Sequence, residues 1–172
     1  MLLGAFSSAF FLYGISMVYG ATGNTDYAAI GGVLSRDITG IDTALFFGLA
    51  LMIAGLGFKV AAVPFHMWTP DVYEGAPVAV TAYLSTTSKA AGFALALRLF
   101  SGAFEAVHDD WSWMFAGIAA ATMILGNLVA LQQRNIKRLM AYSSIGQVGY
   151  MLMAFAGLSH DTASALLLHL TG

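Results

Sequence analysis

Two lysines, Lys59 and Lys89, sit deep inside stretches that are otherwise apolar and long enough to cross a membrane. A charge at the bilayer centre costs about 3 kcal/mol or more, so such a side chain usually faces a polar interior or a water path. Desolvation penalises the charged form of an amine, and an enclosed lysine can therefore trade protons near neutral pH. That is the chemistry these residues offer: proton relay. The plainer alternative is that each lysine snorkels or pairs with a buried carboxylate for structural reasons, although snorkelling is difficult from midplane depth.

Residues around the lysines extend the pattern. Gly55 and Gly57 precede Lys59 and Pro64 follows it, which predicts a break in the helix. Proline removes one backbone hydrogen bond and displaces the carbonyl one turn back, here that of Val60. Irregular backbone at membrane depth is tolerated where it is buried or lines water, and interrupted helices beside a charge recur in transporters. His66, seven residues after Lys59, shares its face if the helix stays continuous. It reads either as a relay toward the cytoplasm or as a satisfied interfacial histidine.

Beyond the next turn, Thr81, Ser85 and Ser88 recur at helical spacing, with Ser85 on the face of Lys89. Hydroxyls can hold a water wire or simply bond helix to helix. Ser85 and Ser88 fit the wire and Thr81 the packing role. Arg98 is expected to snorkel to the far interface. Ser143, Gln147 and Tyr150 form a polar line read as a packing seam, with a half-channel as the alternative, while Gly146 and Gly149 permit close helix approach. His169 has no assigned role.

These side chains must be positioned by membrane helices. The chain is 59% hydrophobic and 9% charged, against about 25% charged in a soluble domain. It is all-α by pattern. With no cysteine it has neither a disulfide framework nor a thiolate metal site, and no basic block points to nucleic acid. No catalytic, cofactor-binding or metal-binding residue stands out. A helix needs about 20 apolar residues to cross roughly 30 Å of hydrocarbon. On that measure residues 1–20, 43–69, 76–98, 111–133 and 139–159 read as five full spans, and residues 162–172 begin a sixth. All belong to one transmembrane domain over residues 1–172. The first twenty residues lack a basic leader and a small-residue cleavage site, so they read as a membrane helix. The end at Leu170-Thr171-Gly172 reads as mid-helix, as in part of a longer protein, with a short interfacial helix as the alternative.

Arg134, Lys137 and Arg138 cluster between two spans, and the positive-inside rule places them in the cytoplasm with the Pro70–Gly75 turn. The opposite loops carry Asp26, Asp37, Asp42, Glu105, Asp109 and Asp110 against Arg36. Lys59 and Lys89 each lie about 12 residues from the cytoplasmic turn, or roughly 18 Å, near the midplane. On adjacent antiparallel helices at one depth, they are expected to couple through water.

The run Gly57-Phe58-Lys59-Val60-Ala61-Ala62-Val63-Pro64-Phe65-His66-Met67-Trp68-Thr69-Pro70-Asp71-Val72-Tyr73-Glu74-Gly75-Ala76-Pro77 closely resembles the signature of the subunit N family of proton-pumping NADH:quinone oxidoreductases. That is respiratory complex I, with related enzymes in cyanobacteria and chloroplasts. A second stretch, Asn135-Ile136-Lys137-Arg138-Leu139-Met140-Ala141-Tyr142-Ser143-Ser144-Ile145-Gly146, and Lys89 within Ser88-Lys89-Ala90 also resemble the family. The likeness covers essentially the whole chain.

The resemblance implies an antiporter-like fold of two inverted five-helix repeats, each with one broken helix. Lys59 would be the central lysine of the first broken helix, and Lys89 the lysine that passes the proton sideways. It implies a subunit without a redox centre. NADH, FMN, iron–sulfur clusters and quinone would belong to other subunits, and the other membrane-arm subunits, lipid and protons would be its partners. The expected location is a bacterial plasma membrane, or alternatively a thylakoid or other energy-transducing membrane. Measured against the family, the chain reads as a middle portion. The helix with a glutamate partner for Lys59 would lie upstream, and a second broken helix with its own lysine downstream. Two rival readings use the same residues. One is a free-standing or hydrogenase-linked cation/proton antiporter subunit; the other is a scaffold that holds lipid and neighbouring subunits.

Overall fold

The computed structural model describes residues 2–36, 43–157 and 160–171. The expected loop acids Asp37 and Asp42, and the end of the 139–159 span at Ser159, lie outside the described residues. All regular structure among the described residues is helical: α1 (Leu2–Thr22), α2 (Tyr27–Leu34), α3 (Thr43–Val60), α4 (Trp68–Gly75), α5 (Val78–Gly102), a 3-10 turn (Glu105–Val107), α6 (His108–Leu131), α7 (Ile136–Ala156) and α8 (His160–Thr171). Stretches in α1, α3, α6 with its preceding turn, and α7 are long and apolar enough to cross a membrane. Helix α5 is also long, at 25 residues. Its run Ser85-Thr86-Thr87-Ser88-Lys89 makes it less apolar than those four.

Two helix pairs carry most of the packing, and both are built on small residues. In α1 and α3, a Cβ on Gly14 would lie 2.6 Å from the Gly48 carbonyl, and one on Gly55 would lie 2.7 Å from Phe11. The Ser7 hydroxyl donates to the Gly55 carbonyl at 3.1 Å, which only so close an approach allows. In α6 and α7, a Cβ on Gly126 would lie 2.7 Å from the Gly146 nitrogen, and one on Gly149 would lie 2.8 Å from the Met123 nitrogen. Lipid is as apolar as a side chain, so helices in a bilayer gain from contact and interhelical hydrogen bonds, and small residues maximise both.

Between the pairs, aromatic rings fill the centre. Phe100 lies 4.8 Å from Trp111 and 4.9 Å from Phe115, and Phe115 stacks on Phe155 at 5.1 Å, centroid to centroid. These offset and edge-to-face pairs add to plain dispersion. The Trp111 indole N–H, fully buried, donates to the Phe104 carbonyl at 2.8 Å.

Two short helices replace expected connections. Helix α2 lies within what reads from sequence as the connection after the first span, with Asp26 as its N-cap accepting from the Ala29 N–H at 3.1 Å. Helix α4 occupies what reads from sequence as a turn. Its Pro70 lies in the first helical turn, where a missing N–H costs nothing.

The two ends of the bundle are chemically distinct. At one, Arg138 pairs with Asp71 at 3.1 Å and Glu74 at 2.8 Å. Asn135 donates to Glu74 at 2.8 Å, and the Lys137 ammonium donates to the Glu74 and Ala76 carbonyls at 3.1 and 3.3 Å. This network ties the start of α7 to the end of α4. At the other end, α2 meets the 3-10 turn that carries Glu105, and the Arg98 guanidinium lies 6.0 Å from the Tyr27 ring centroid.

Candidate functional site

Residues 61–67 separate α3 from α4. Helix α3 ends in a Schellman-like turn: the Ala62 N–H donates to the Gly57 carbonyl at 2.8 Å, with Ala61 at φ +66°. Glycine usually holds that position. A Cβ there costs roughly 1–2 kcal/mol, and the surrounding packing must sustain it. Ala61 and Ala62 are both fully buried.

The exposed backbone polar groups of this segment find partners. The Val63 N–H donates to the Thr122 hydroxyl of α6 at 3.0 Å. The Trp68 indole N–H donates to the Phe58 carbonyl at 3.0 Å, and the Trp68 ring stacks on Phe58 at 5.8 Å. Satisfied groups of this kind are what a buried non-helical segment requires. Gly57 contributes space, since its Cβ would lie 3.1 Å from the Phe65 ring. Gly55, expected at the break, instead lies within uninterrupted α3 and serves the contact with α1. Pro64, joined to Val63 by a cis bond, follows the point where the helix has already ended.

The two lysines do not share a face. Helices α3 and α5 meet where Gly92 admits the Val60 side chain, 2.8 Å from where a Cβ would stand. Lys59 is one residue, about 100° of helix rotation, from Val60, and it is exposed. Lys89, one turn from Gly92, is 4% exposed. Direct coupling through a common water-filled face therefore does not follow from this packing. The shared face of His66 and Lys59 does not form either, because α3 stops at Val60 before His66 is reached.

Lys89 crosses to α7. Its ammonium donates to the Ser144 carbonyl at 3.0 Å and, at close range, to the Ser144 hydroxyl. No carboxylate pairs with it among the described residues. Lys89 lies at the edge of a cleft of about 1140 Å³ between α5, α7 and α8 that is also lined by Thr81, Ser85, Ser143 and Gln147. Ser85 donates to its own helix at the Ala82 carbonyl, 2.8 Å away. Thr81 binds the Pro77 carbonyl at 3.3 Å and the Tyr73 carbonyl at 3.4 Å. Ser88 lies outside the cleft lining. Gln147 meets His169 of α8 at 3.0 Å, and the Tyr150 hydroxyl accepts from Asn127 at 3.2 Å.

A second polar feature runs along α4. The side-chain atoms His66 Nδ1, Thr69 Oγ1 and Tyr73 OH are all buried without a hydrogen-bond partner. Thr69 and Tyr73, four residues apart, share a face of α4, and His66 lies in the turn that leads into it. The stripe meets α7: the His66 ring is 6.4 Å from that of Tyr142, and Tyr73 lines the same cleft as Ser144. Sequence reading missed Ser144, Tyr73, Thr69 and Thr122. The 66–69–73 spacing was a visible signal for the stripe. For Ser144, one of two adjacent serines, nothing in the pattern marked which would face Lys89.

Comparison with known proteins then gives a consistent picture. The family model described as "NADH:quinone oxidoreductase/Mrp antiporter, TM" matches residues 1–172. NADH-quinone oxidoreductase subunit N of Moorella thermoacetica is 53% identical over 159 residues, 92% of this chain and 33% of the relative. NAD(P)H-quinone oxidoreductase subunit 2 of Thermosynechococcus vestitus is 54% identical over 156 residues, 90% of this chain and 30% of the relative. Among solved structures, a chain of respiratory complex I from Thermus thermophilus, with bound aureothin, superposes with a TM-score of 0.76 at 40% identity. That match covers 98% of this chain and 36% of the other. The chain thus spans about a third of the length of the curated relatives it matches.

Proposed function

From the premise that the chain belongs to the NADH:quinone oxidoreductase/Mrp antiporter transmembrane family, we propose that it is part of a proton-translocating membrane-arm subunit of an NADH:quinone oxidoreductase. In that role it couples electron transfer from NADH to quinone to proton movement across the membrane. The protein is an integral membrane protein. The bacterial plasma membrane is its proposed site, with residues 1–172 as one transmembrane domain. Helix α5 then serves as a fifth span, and α3 with α4 as one discontinuous membrane helix within an antiporter-like inverted repeat. The subunit carries no redox centre in this reading; NADH, FMN, iron–sulfur clusters and quinone are held by other subunits of the complex.

The observation that carries the reading is Lys89: a lysine buried in a membrane helix with no carboxylate beside it among the described residues, held by Ser144 beside a hydroxyl-lined cleft. An ammonium so placed has two fates, to be charged and hydrogen-bonded or to release its proton, and alternating between them is proton carriage. Lys89 and Lys59 are the proton carriers, Ser85 and Ser88 support water near Lys89, and His66 exchanges protons at the 61–67 segment. Lys59, exposed on α3, takes its partner from a neighbouring element in the assembled subunit. The antiporter reading rests on the shared family name; identities of 53% and 54% to quinone oxidoreductase subunits favour the oxidoreductase.

The test is Lys59→Ala and Lys89→Ala in the subunit assembled in its complex in sealed vesicles, with assembly checked on a native gel. Turnover and proton uptake should fall together. Parent rates of both, in both variants, would overturn the reading.

A further inference from the structure

We propose that Ser144 and Tyr73 relay protons between Lys89 and the His66–Thr69 end of α4, an inference that rests on the proton-carrier reading of Lys89. Three buried polar atoms without partners, Thr69 Oγ1 and Tyr73 OH on one face of α4 and His66 Nδ1 in the turn that leads into it, are costly. Each such group forfeits its full desolvation energy unless something hydrogen-bonds to it, and native structures rarely leave one so. Three in succession argue for a line of hydrogen-bonding atoms that includes water, because neighbours on a helical face stand about 5–6 Å apart at Cβ, a gap one water bridges. The line does not end blindly. Tyr73 is 2% exposed and lines the same cleft as Ser144, whose own hydroxyl receives the Lys89 ammonium.

A hydroxyl both donates and accepts, so it passes a proton without net change. In the forward step, Lys89 Nζ gives a proton to Ser144 Oγ as the Ser144 proton moves to the Tyr73 oxygen. The Tyr73 proton moves to water at Thr69, and that water protonates Nδ1 of a neutral His66 in its Nε2–H tautomer. Each hydroxyl gains one proton and loses one. Lys89 ends as a neutral amine, His66 as an imidazolium, and no electron moves. The Ser144 carbonyl, which also accepts from Lys89 at 3.0 Å, holds the amine in place but cannot relay. The network of Arg138 with Asp71 and Glu74 pins α4 to α7.

The experiment measures initial proton uptake by sealed vesicles bearing the assembled complex, normalised to complex on a native gel. Ser144→Ala, Tyr73→Phe, Ser144→Thr and Lys89→Ala are compared. Both hydroxyl deletions keep nearly the parent volume, and Ser144→Thr keeps the hydroxyl. Ser144→Ala and Tyr73→Phe are each expected to slow uptake about a hundredfold or more, the scale of a lost proton-transfer group, while Ser144→Thr stays near the parent rate. A purely structural role for Ser144 would not sort alanine from threonine in this way. Parent rates in both Ser144→Ala and Tyr73→Phe, with Lys89→Ala inactive, would overturn the relay and leave the lysine reading intact. Parent rates in Lys89→Ala as well would overturn both.

Discussion

The Lys89 ammonium stands 3.0 Å from the carbonyl oxygen of Ser144, so a cation on α5 is held by the backbone of α7. The two helices otherwise touch little along the open cleft, and this hydrogen bond is a principal link across it. A buried ammonium with no carboxylate beside it among the described residues is a liability for stability.

Replacing Lys89 with Met should therefore split stability from proton uptake. Exchanging buried ionic groups for apolar ones of similar volume is often neutral, or stabilising by about 1–4 kcal/mol. The variant is expected to melt at or above the parent temperature in detergent while the complex loses proton uptake. A lower melting temperature would show that Lys89 is a structural tie.

At Ala61, φ +66° is held by complete burial. Ala61→Gly relieves roughly 1–2 kcal/mol of steric cost and forfeits about 0.8 kcal/mol for the buried methyl, so it should be close to neutral. Ala61→Val places a β-branched residue where such residues are outliers and adds volume to a filled site, costing about 1–3 kcal/mol or more. Yield of assembled complex and thermal midpoint report both, and an indifferent Ala61→Val would mean that the turn is not fixed in this form.

Two glycines of α6 should behave oppositely. A Cβ at Gly126 meets the backbone of Gly146 at 2.7 Å, which cannot yield without parting α6 from α7, so Gly126→Val should cost about 1–3 kcal/mol. A Cβ at Gly117 meets nothing within 4 Å, so Gly117→Ala should be neutral or stabilising by about 0.5–1 kcal/mol through helix propensity. Paired melting curves decide it, and equal effects at the two sites would refute the close α6–α7 approach.

The Arg138 network offers a charge test. Arg138→Glu faces Asp71 and Glu74 with a third carboxylate and should lower the melting temperature. The double change Arg138→Glu with Glu74→Arg should recover part of the loss. Because these groups are partly exposed, the difference should narrow as salt rises. A salt-independent loss without recovery in the double variant would mean that Arg138 acts through packing.

Much of this was legible in the chain. Helix existence and approximate extent followed from apolar length, which is a local property, whereas α3 ends at Val60, four residues before Pro64. The family signature Gly57–Pro77 was readable as a string. The short helix α2 was missed because its one clear signal, the Asp26 cap, lay inside a stretch read as connection. Helix α4 was missed because Pro70 and Gly75 look like turn residues even where proline occupies a tolerated first-turn position.

By itself, the sequence determined that this is a bundle of membrane helices with two lysines at similar distance from one turn, since apolar length and rise per residue need no knowledge of neighbours. Only the tertiary structure decided that Lys59 faces outward while Lys89 turns inward to Ser144, and that His66, Thr69 and Tyr73 line up against α7. Periodicity says which residues share a face. Which face meets which helix depends on where glycines such as Gly92, Gly126 and Gly149 let backbones approach. That selection is made by packing between elements far apart in the chain.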